Sequence, residues 1–141
     1  MSLKGSIKVA GDKSITHRAI IFSSLSKGTT RIHEPLLGAD CISTLEIFKQ
    51  FGVKSELSKD CLIITSPGLE SFCYDQSILD TGNSGTTARL LMGVLSNLPA
   101  TLTLIGDESL SKRPMKRVTL PLSQMGANIT LENDATLPAT I

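Results

Sequence analysis

The 141-residue chain has no tryptophan, one tyrosine and four phenylalanines. A core built mainly on large aromatic side chains is therefore excluded, and packing must rest on Ile, Leu, Val and Met. Long hydrophobic runs are also missing. Purely apolar stretches such as Leu90-Leu91-Met92 fall far short of the roughly 20 residues that cross a bilayer. The start, Met1-Ser2-Leu3-Lys4-Gly5, has no apolar stretch before Gly11, which argues against a leader peptide. An excess of charge of one sign is absent too: Lys plus Arg is 14, Asp plus Glu is 13, and the net charge is +1. Bulk attraction to nucleic acid or an anionic membrane is thus excluded, and any basic site must be local. Cysteine is sparse. Cys41, Cys61 and Cys73 form no Cys-x-x-Cys pair, and His17 and His33 do not stand at metal-ligand spacing from them. They are expected to be small buried thiols in a reducing cytosol. What is present is 40% apolar residues, enough for the core of one ordinary domain or of a piece of a larger protein.

Periodicity places the elements. Residues 6–10 alternate as a short strand, broken by Gly11-Asp12. Apolar residues at 15, 19, 22 and 25 then recur at helical spacing, with Ser14 as the expected N-cap and Gly28 as the stop. A strand follows at 29–33. Asp40 is placed to cap a second helix with Ile42, Leu45, Phe48 and Phe51 on one face and Gly52 at its end. Strands at 53–57 and 61–65 form a hairpin across Ser58-Lys59-Asp60. A third helix runs from about 86 to 96, a strand covers 101–105, and Pro114 suits the first position of a fourth helix reaching about Met125. Pro121 predicts a kink inside it. Strands are expected at 127–132 and from 137 onward.

The two halves resemble each other. Phe51-Gly52-Val53-Lys54-Ser55-Glu56-Leu57 aligns with Met125-Gly126-Ala127-Asn128-Ile129-Thr130-Leu131 at an offset of 74 residues. The helix carrying Arg18 aligns with that carrying Arg89 at an offset of 71. The pattern is strand, helix, strand, helix, strand, strand, stated twice. A repeat of this length is a supersecondary unit rather than a solenoid rung. The abrupt end at Ile141 points to a longer parent chain.

Three segments carry candidate chemistry. The first is Gly11-Asp12-Lys13-Ser14-Ile15-Thr16-His17-Arg18, where a strand turns into a helix. Free backbone N–H groups and the positive helix end favour an anion there. Lys13 adds a point charge, Ser14 a hydroxyl, and Arg18 a planar fork suited to phosphate or carboxylate. The Walker A spacing is not met. The second is Thr81-Gly82-Asn83-Ser84-Gly85-Thr86-Thr87-Ala88-Arg89, whose glycines admit close backbone approach and whose Arg89 repeats the placement of Arg18. The third, Ser111-Lys112-Arg113-Pro114-Met115-Lys116-Arg117, sets four cations at a helix start, where an anion is needed to offset the dipole. The plain alternatives are capped helices and a solvated basic face. His17 is read either as a polar surface or packing residue or as a general base, with the former favoured. His33 has no partner, and Asp40 is either a cap or a group facing a ring hydroxyl. Asp107 and Glu108 are placed to pair with the basic segment. No carboxylate dyad stands out.

These residues resemble the signatures of the 5-enolpyruvylshikimate-3-phosphate synthase family. The first segment, the stretch Leu79-Asp80-Thr81-Gly82-Asn83-Ser84-Gly85-Thr86-Thr87-Ala88-Arg89-Leu90, and Gly106-Asp107-Glu108-Ser109-Leu110 followed by Lys112-Arg113-Pro114-Met115 match its motifs in order. The related enolpyruvyl transferase acting on UDP-N-acetylglucosamine has a Lys-Asn pair in its first motif. The resemblance implies an α/β (α+β) enolpyruvate transferase-like fold of βαβαββ units, with mixed sheets outside and helices inside. It implies an N-terminal fragment: an opening strand and hinge at 1–13, then a partial N-terminal domain at 14–141. Repeat one spans about 14–80 and repeat two about 81–141.

The implied reaction transfers the enolpyruvyl group of phosphoenolpyruvate to the 5-hydroxyl of shikimate 3-phosphate and releases phosphate. This is a step of chorismate and aromatic amino-acid biosynthesis in the cytoplasm, and a glyphosate target. No cofactor or metal is implied. By position, Lys13, Ser14 and Arg18 bind shikimate 3-phosphate, with Lys13 also catalytic near phosphoenolpyruvate. Asn83, Gly85, Arg89 and Arg113 hold the phosphoenolpyruvate end, and Asp40 lines the cleft. The remainder of the parent chain, a second domain, is the implied partner; nucleic acid and membrane are not. Leu90 departs from a common Pro, and Thr87-Ala88 from Ala-Met, while Gly85 is kept. The fragment alone is expected to be inactive. The alternatives are a stand-alone phosphometabolite-binding module, a scaffold domain that lost its chemistry, or a relative of the UDP-N-acetylglucosamine enzyme.

Overall fold

The first helix starts at Asp12 rather than at Ser14. In the computed structural model, which describes residues 4–141, Asp12 Oδ1 accepts the Ile15 N–H at 2.7 Å and caps α1 (Lys13–Leu25). Aspartate immediately before a helix holds a free N–H and places negative charge at the positive end. Gly28, expected to stop the helix, instead opens β1 (Gly28–His33) at φ +123°, and Ser26 is the C-cap. α2 (Ala39–Gln50) likewise begins two residues early, with Gly38 at its N-cap. Asp40 therefore lies inside its first turn, and its side chain is free for another partner.

Antiparallel pairing joins β2 (Lys54–Ser58) to β3 (Cys61–Ser66) across the Lys59-Asp60 turn, and β3 to β1, so the first sheet runs β1-β3-β2. The second sheet contains β4 (Ile78–Asp80), β5 (Thr103–Ile105), β6 (Thr130–Glu132) and β7 (Thr136–Thr140) in the order β4-β5-β7-β6. Here β4 and β5 are parallel and the other pairs antiparallel. α3 (Gly85–Leu95) and α4 (Lys116–Gln124) accompany it. β4 was not read from the sequence, because three residues are too few to show alternation.

The expected strand at 6–10 does not form. Among the described residues no strand pairs with it, and Ile7 and Val9 are 89% and 71% exposed. Lys8 pairs with Glu34 instead. Residues 1–3 of the expected opening strand and hinge lie outside the described residues. The fourth helix begins two residues after Pro114, because a short 3-10 turn at Leu110–Lys112 precedes it. Pro121 does lie inside α4, where its ring removes a donor.

The core follows β3, α2, α3 and β5, with Phe48, Ile64, Leu91 and Leu104 fully buried. Although aromatics are scarce, four of them gather. Phe51 stacks on Phe72 at 5.2 Å, and Phe48 and Tyr74 meet Phe51 at 6.2 and 5.9 Å. The face of α1 departs from its apolar periodicity. Ile15 and Phe22 are 69% and 65% exposed, while the buried side carries Thr16, His17, Ile20, Ile21, Ser23 and Ser24. Of the cysteines, Cys41 alone is buried; Cys61 is half-buried and Cys73 exposed, which corrects the expectation of three buried thiols. No helix among the described residues is long and apolar enough to cross a membrane.

Candidate active site

Lys13 is the first residue of α1, and its Nζ lies 3.0 Å from Asp40 Oδ2 in the first turn of α2. The pair joins two helix starts. The Asp40 carboxylate raises the Lys13 pKa above its ordinary value, so Lys13 is a fixed cation at neutral pH. Ser14 and Arg18 make their contacts within α1: Arg18 Nη1 donates to the Ser14 carbonyl at 3.0 Å. Both are exposed beside Lys13.

The second half forms where β4 leads into α3. Ser84 caps α3 by accepting the Thr87 N–H at 3.1 Å. Asn83 Nδ2 donates to Asp107 Oδ2 at 2.6 Å, and Asn83 Oδ1 accepts from Arg113 Nη2 at 3.1 Å. One asparagine thus links the loop before α3 to the basic segment before α4. Arg89 reaches back along α3, with Nη1 donating to the Gly85 carbonyl and Nη2 to the Pro114 carbonyl, each at 3.3 Å. A methyl group built on Gly85 meets Arg89 Nη1 at 2.6 Å and Arg113 Nη1 at 3.5 Å. Both guanidinium groups therefore flank one bare stretch of backbone, and a side chain there would press on the end of Arg89.

This half is short of negative charge. Burial lowers the Arg89 pKa, and the charges of Arg117 and Arg113 lower it further. Arg89 Nε is buried and has no partner among the described residues. An anion seated here would satisfy the donor and offset the repulsion. Asp107 makes no direct ion pair with the basic segment among the described residues, although the charge of Arg113 helps to keep it ionised. Its Oδ1 accepts the Leu110 N–H at 2.8 Å, and with the Asn83 contact this holds its carboxyl below the usual range. Glu108 does pair with the basic segment, through Lys112 at 2.6 Å.

The two halves touch. Thr87 Oγ1 of α3 donates to the Asp40 carbonyl at 3.1 Å, and Ser43 of α2 lies 3.4 Å from a methyl position on Gly82. Lys13 and Asp40 thus stand close to the first turn of α3, the helix that follows Asn83 and carries Gly85 and Arg89. His17 is fully buried and takes the packing role. Its Nδ1 lies 2.9 Å from Thr44 Oγ1, and burial pushes its pKa down. Sequence reasoning missed Thr44 and the orienting role of Asp107. A threonine at mid-helix gives no local signal, and the Asp107–Asn83 contact spans 24 residues.

The whole chain, residues 1–141, matches the sequence profile described as EPSP synthase (3-phosphoshikimate 1-carboxyvinyltransferase). The chain belongs to the EPSP synthase family. It is 52% identical over 139 residues to the 3-phosphoshikimate 1-carboxyvinyltransferase of Staphylococcus haemolyticus, covering 99% of this chain and 32% of that protein. It is 50% identical over 136 residues to the enzyme of that name from Streptococcus suis, covering 96% and 32% respectively. A solved EPSP synthase from Acinetobacter baumannii superposes with a TM-score of 0.90 at 41% identity, over 97% of this chain and 32% of that one. The expected α/β enolpyruvate transferase-like fold is therefore present. The chain spans about a third of the length of these EPSP synthases.

Proposed function

We propose that this sequence supplies part of the active site of a 3-phosphoshikimate 1-carboxyvinyltransferase. The observation that carries the reading is the meeting of cationic helix starts: Lys13 with Asp40 on one side, and Asn83, Gly85, Arg89 and Arg113 on the other. Both substrates carry phosphate and carboxylate, and the site offers fixed cations and backbone N–H groups to match. In this reading Lys13, Ser14 and Arg18 bind shikimate 3-phosphate. Asn83, Gly85, Arg89 and Arg113 seat phosphoenolpyruvate, and Asp40 holds Lys13 in the cleft between them.

The 5-hydroxyl oxygen of shikimate 3-phosphate bonds to the enol carbon of phosphoenolpyruvate and gives up its proton, while the methylene carbon takes one. The tetrahedral adduct then loses phosphate and a methyl proton, restoring the double bond in the product. Lys13, held protonated by Asp40, contributes as a cation beside the developing charge. Arg89 and Arg113 hold the departing phosphate. The second domain of a longer parent chain completes the site, with residues 14–80 and 81–141 as two units of the first domain. The cytoplasm is the proposed location.

The test is phosphate release by the longest gene product carrying this sequence, given both substrates. Release that depends on shikimate 3-phosphate and vanishes in Lys13→Met supports the reading; no release at all overturns it. UDP-N-acetylglucosamine in place of shikimate 3-phosphate is expected to give none. The 141-residue chain alone is expected to bind weakly and turn nothing over, so product formed by the purified chain would contradict that part.

A further inference from the structure

The buried face of α1 carries polar residues where an amphipathic helix needs apolar ones, and these side chains continue across two more helices. His17 Nδ1 lies 2.9 Å from Thr44 Oγ1 of α2, which lies 2.8 Å from Thr87 Oγ1 of α3. The Thr87 hydroxyl is within 3.1 Å of the Asp40 carbonyl and 2.7 Å of Ser84 Oγ. His17, Thr44, Thr87 and Ser84 are each at most 1% exposed.

The protons of this network can be assigned. His17 is neutral because burial opposes its charge, so its ring carries one N–H. Nε2 is buried without a partner among the described residues. A proton there would be a buried donor with nothing to bond, whereas on Nδ1 it is donated to Thr44. The Thr44 hydroxyl then points to Thr87, 2.8 Å away, rather than to the more distant Asp40 carbonyl at 3.3 Å. Thr87 is left to share its one proton between the Asp40 carbonyl at 3.1 Å and Ser84 Oγ at 2.7 Å. The His17, Thr44 and Thr87 donors thus each find an acceptor, with the sense His17 to Thr44 to Thr87.

We propose that Thr87 is a positioning residue: with His17 and Thr44 it forms a buried relay that fixes the Lys13–Asp40 pair against the turn at Asn83-Ser84-Gly85, so that the two halves of the site keep one spacing. Thr87 acts from the phosphoenolpyruvate side upon the backbone of Asp40, whose side chain holds Lys13. The proposal deepens the reading under Proposed function and rests on it for the identity of the ligands.

The test uses isotope-labelled 141-residue chain and NMR. In the unmodified chain His17 is expected to carry its proton on Nδ1, with Nε2 showing the shift of a bare ring nitrogen; the reverse tautomer overturns the relay. Thr87→Val keeps the shape and removes the hydroxyl. It is expected to move the amide signals of residues 39–41 and 13–14, while Thr87→Ser restores them. Unmoved signals in the valine variant, or no rescue by serine, overturn the proposal. Shikimate 3-phosphate affinity is expected to fall about 3- to 10-fold in Thr87→Val, the range of one hydrogen bond, although Thr87 belongs to the other half of the site. Unchanged affinity overturns the coupling. If the unmodified chain binds no shikimate 3-phosphate, that counts against ligand binding by this chain, and the tautomer and amide signals decide the relay.

Discussion

At Gly85 a single missing methyl group leaves room for the Arg89 guanidinium. Because an added Cβ would stand 2.6 Å from Arg89 Nη1, Gly85→Ala is expected to push Arg89 from its place while the rest of α3 persists. Phosphoenolpyruvate binding should weaken roughly tenfold or more, the scale of a hydrogen bond to a charged group. Calorimetric titration of the variant beside the parent checks this. His17 supplies a second residue-scale expectation. Burial lowers its pKa, against a smaller raising effect of Asp40 and with Lys13 and Arg18 adding to the lowering. The unfolded chain then takes up a proton near the ordinary value of 6.5 while the folded chain resists it. Stability is complete above that pH and declines as pH falls below it toward the lowered value. Urea unfolding at several pH values between about 7 and 5 should show this decline, and His17→Gln, which does not titrate, should flatten it.

Helix starts carry both order and chemistry in this chain. Removing a cap is expected to cost about 1 kcal/mol, so Asp12→Ala should lower the thermal midpoint measurably while leaving α2 and α3 intact by circular dichroism. Gly11→Ala should also destabilise, by about 1–3 kcal/mol, since its methyl would press on the Glu34 carbonyl. The elements best legible in the sequence were α2, α3 and the hairpin of β2 and β3, because each combines a clear period with a turn or cap. The start of α1 was placed two residues late, since Asp12 and Ser14 are both good caps and only the fold chooses between them. The burial of α1 was misread for a different reason. Its inward face holds Thr16 and His17, whose hydrogen bonds run to other elements and leave no periodic signal, and Ser24, whose hydroxyl has no partner among the described residues. Site residues were legible as motifs, but the Asn83 link between Asp107 and Arg113 depends on contacts 24 and 30 residues apart.

Over the whole molecule, two small sheets back a set of helices whose N-termini meet. Apolar surface remains outside that arrangement at Ile7, Val9, Ile15 and Phe22. Since Phe22 is 65% exposed, Phe22→Ser should leave the unfolding midpoint nearly unchanged and reduce self-association of the isolated chain, as read by light scattering. The central claim is that helix starts from both halves serve one anionic ligand set. Its most direct test is an NMR titration of the chain with phosphoenolpyruvate in the presence of shikimate 3-phosphate, following backbone amides and arginine side chains. The account predicts that signals of Lys13, Asn83, Gly85, Arg89 and Arg113 move together along one binding curve. Separate curves for the two halves, or changes confined to other surface lysines and arginines, would contradict it.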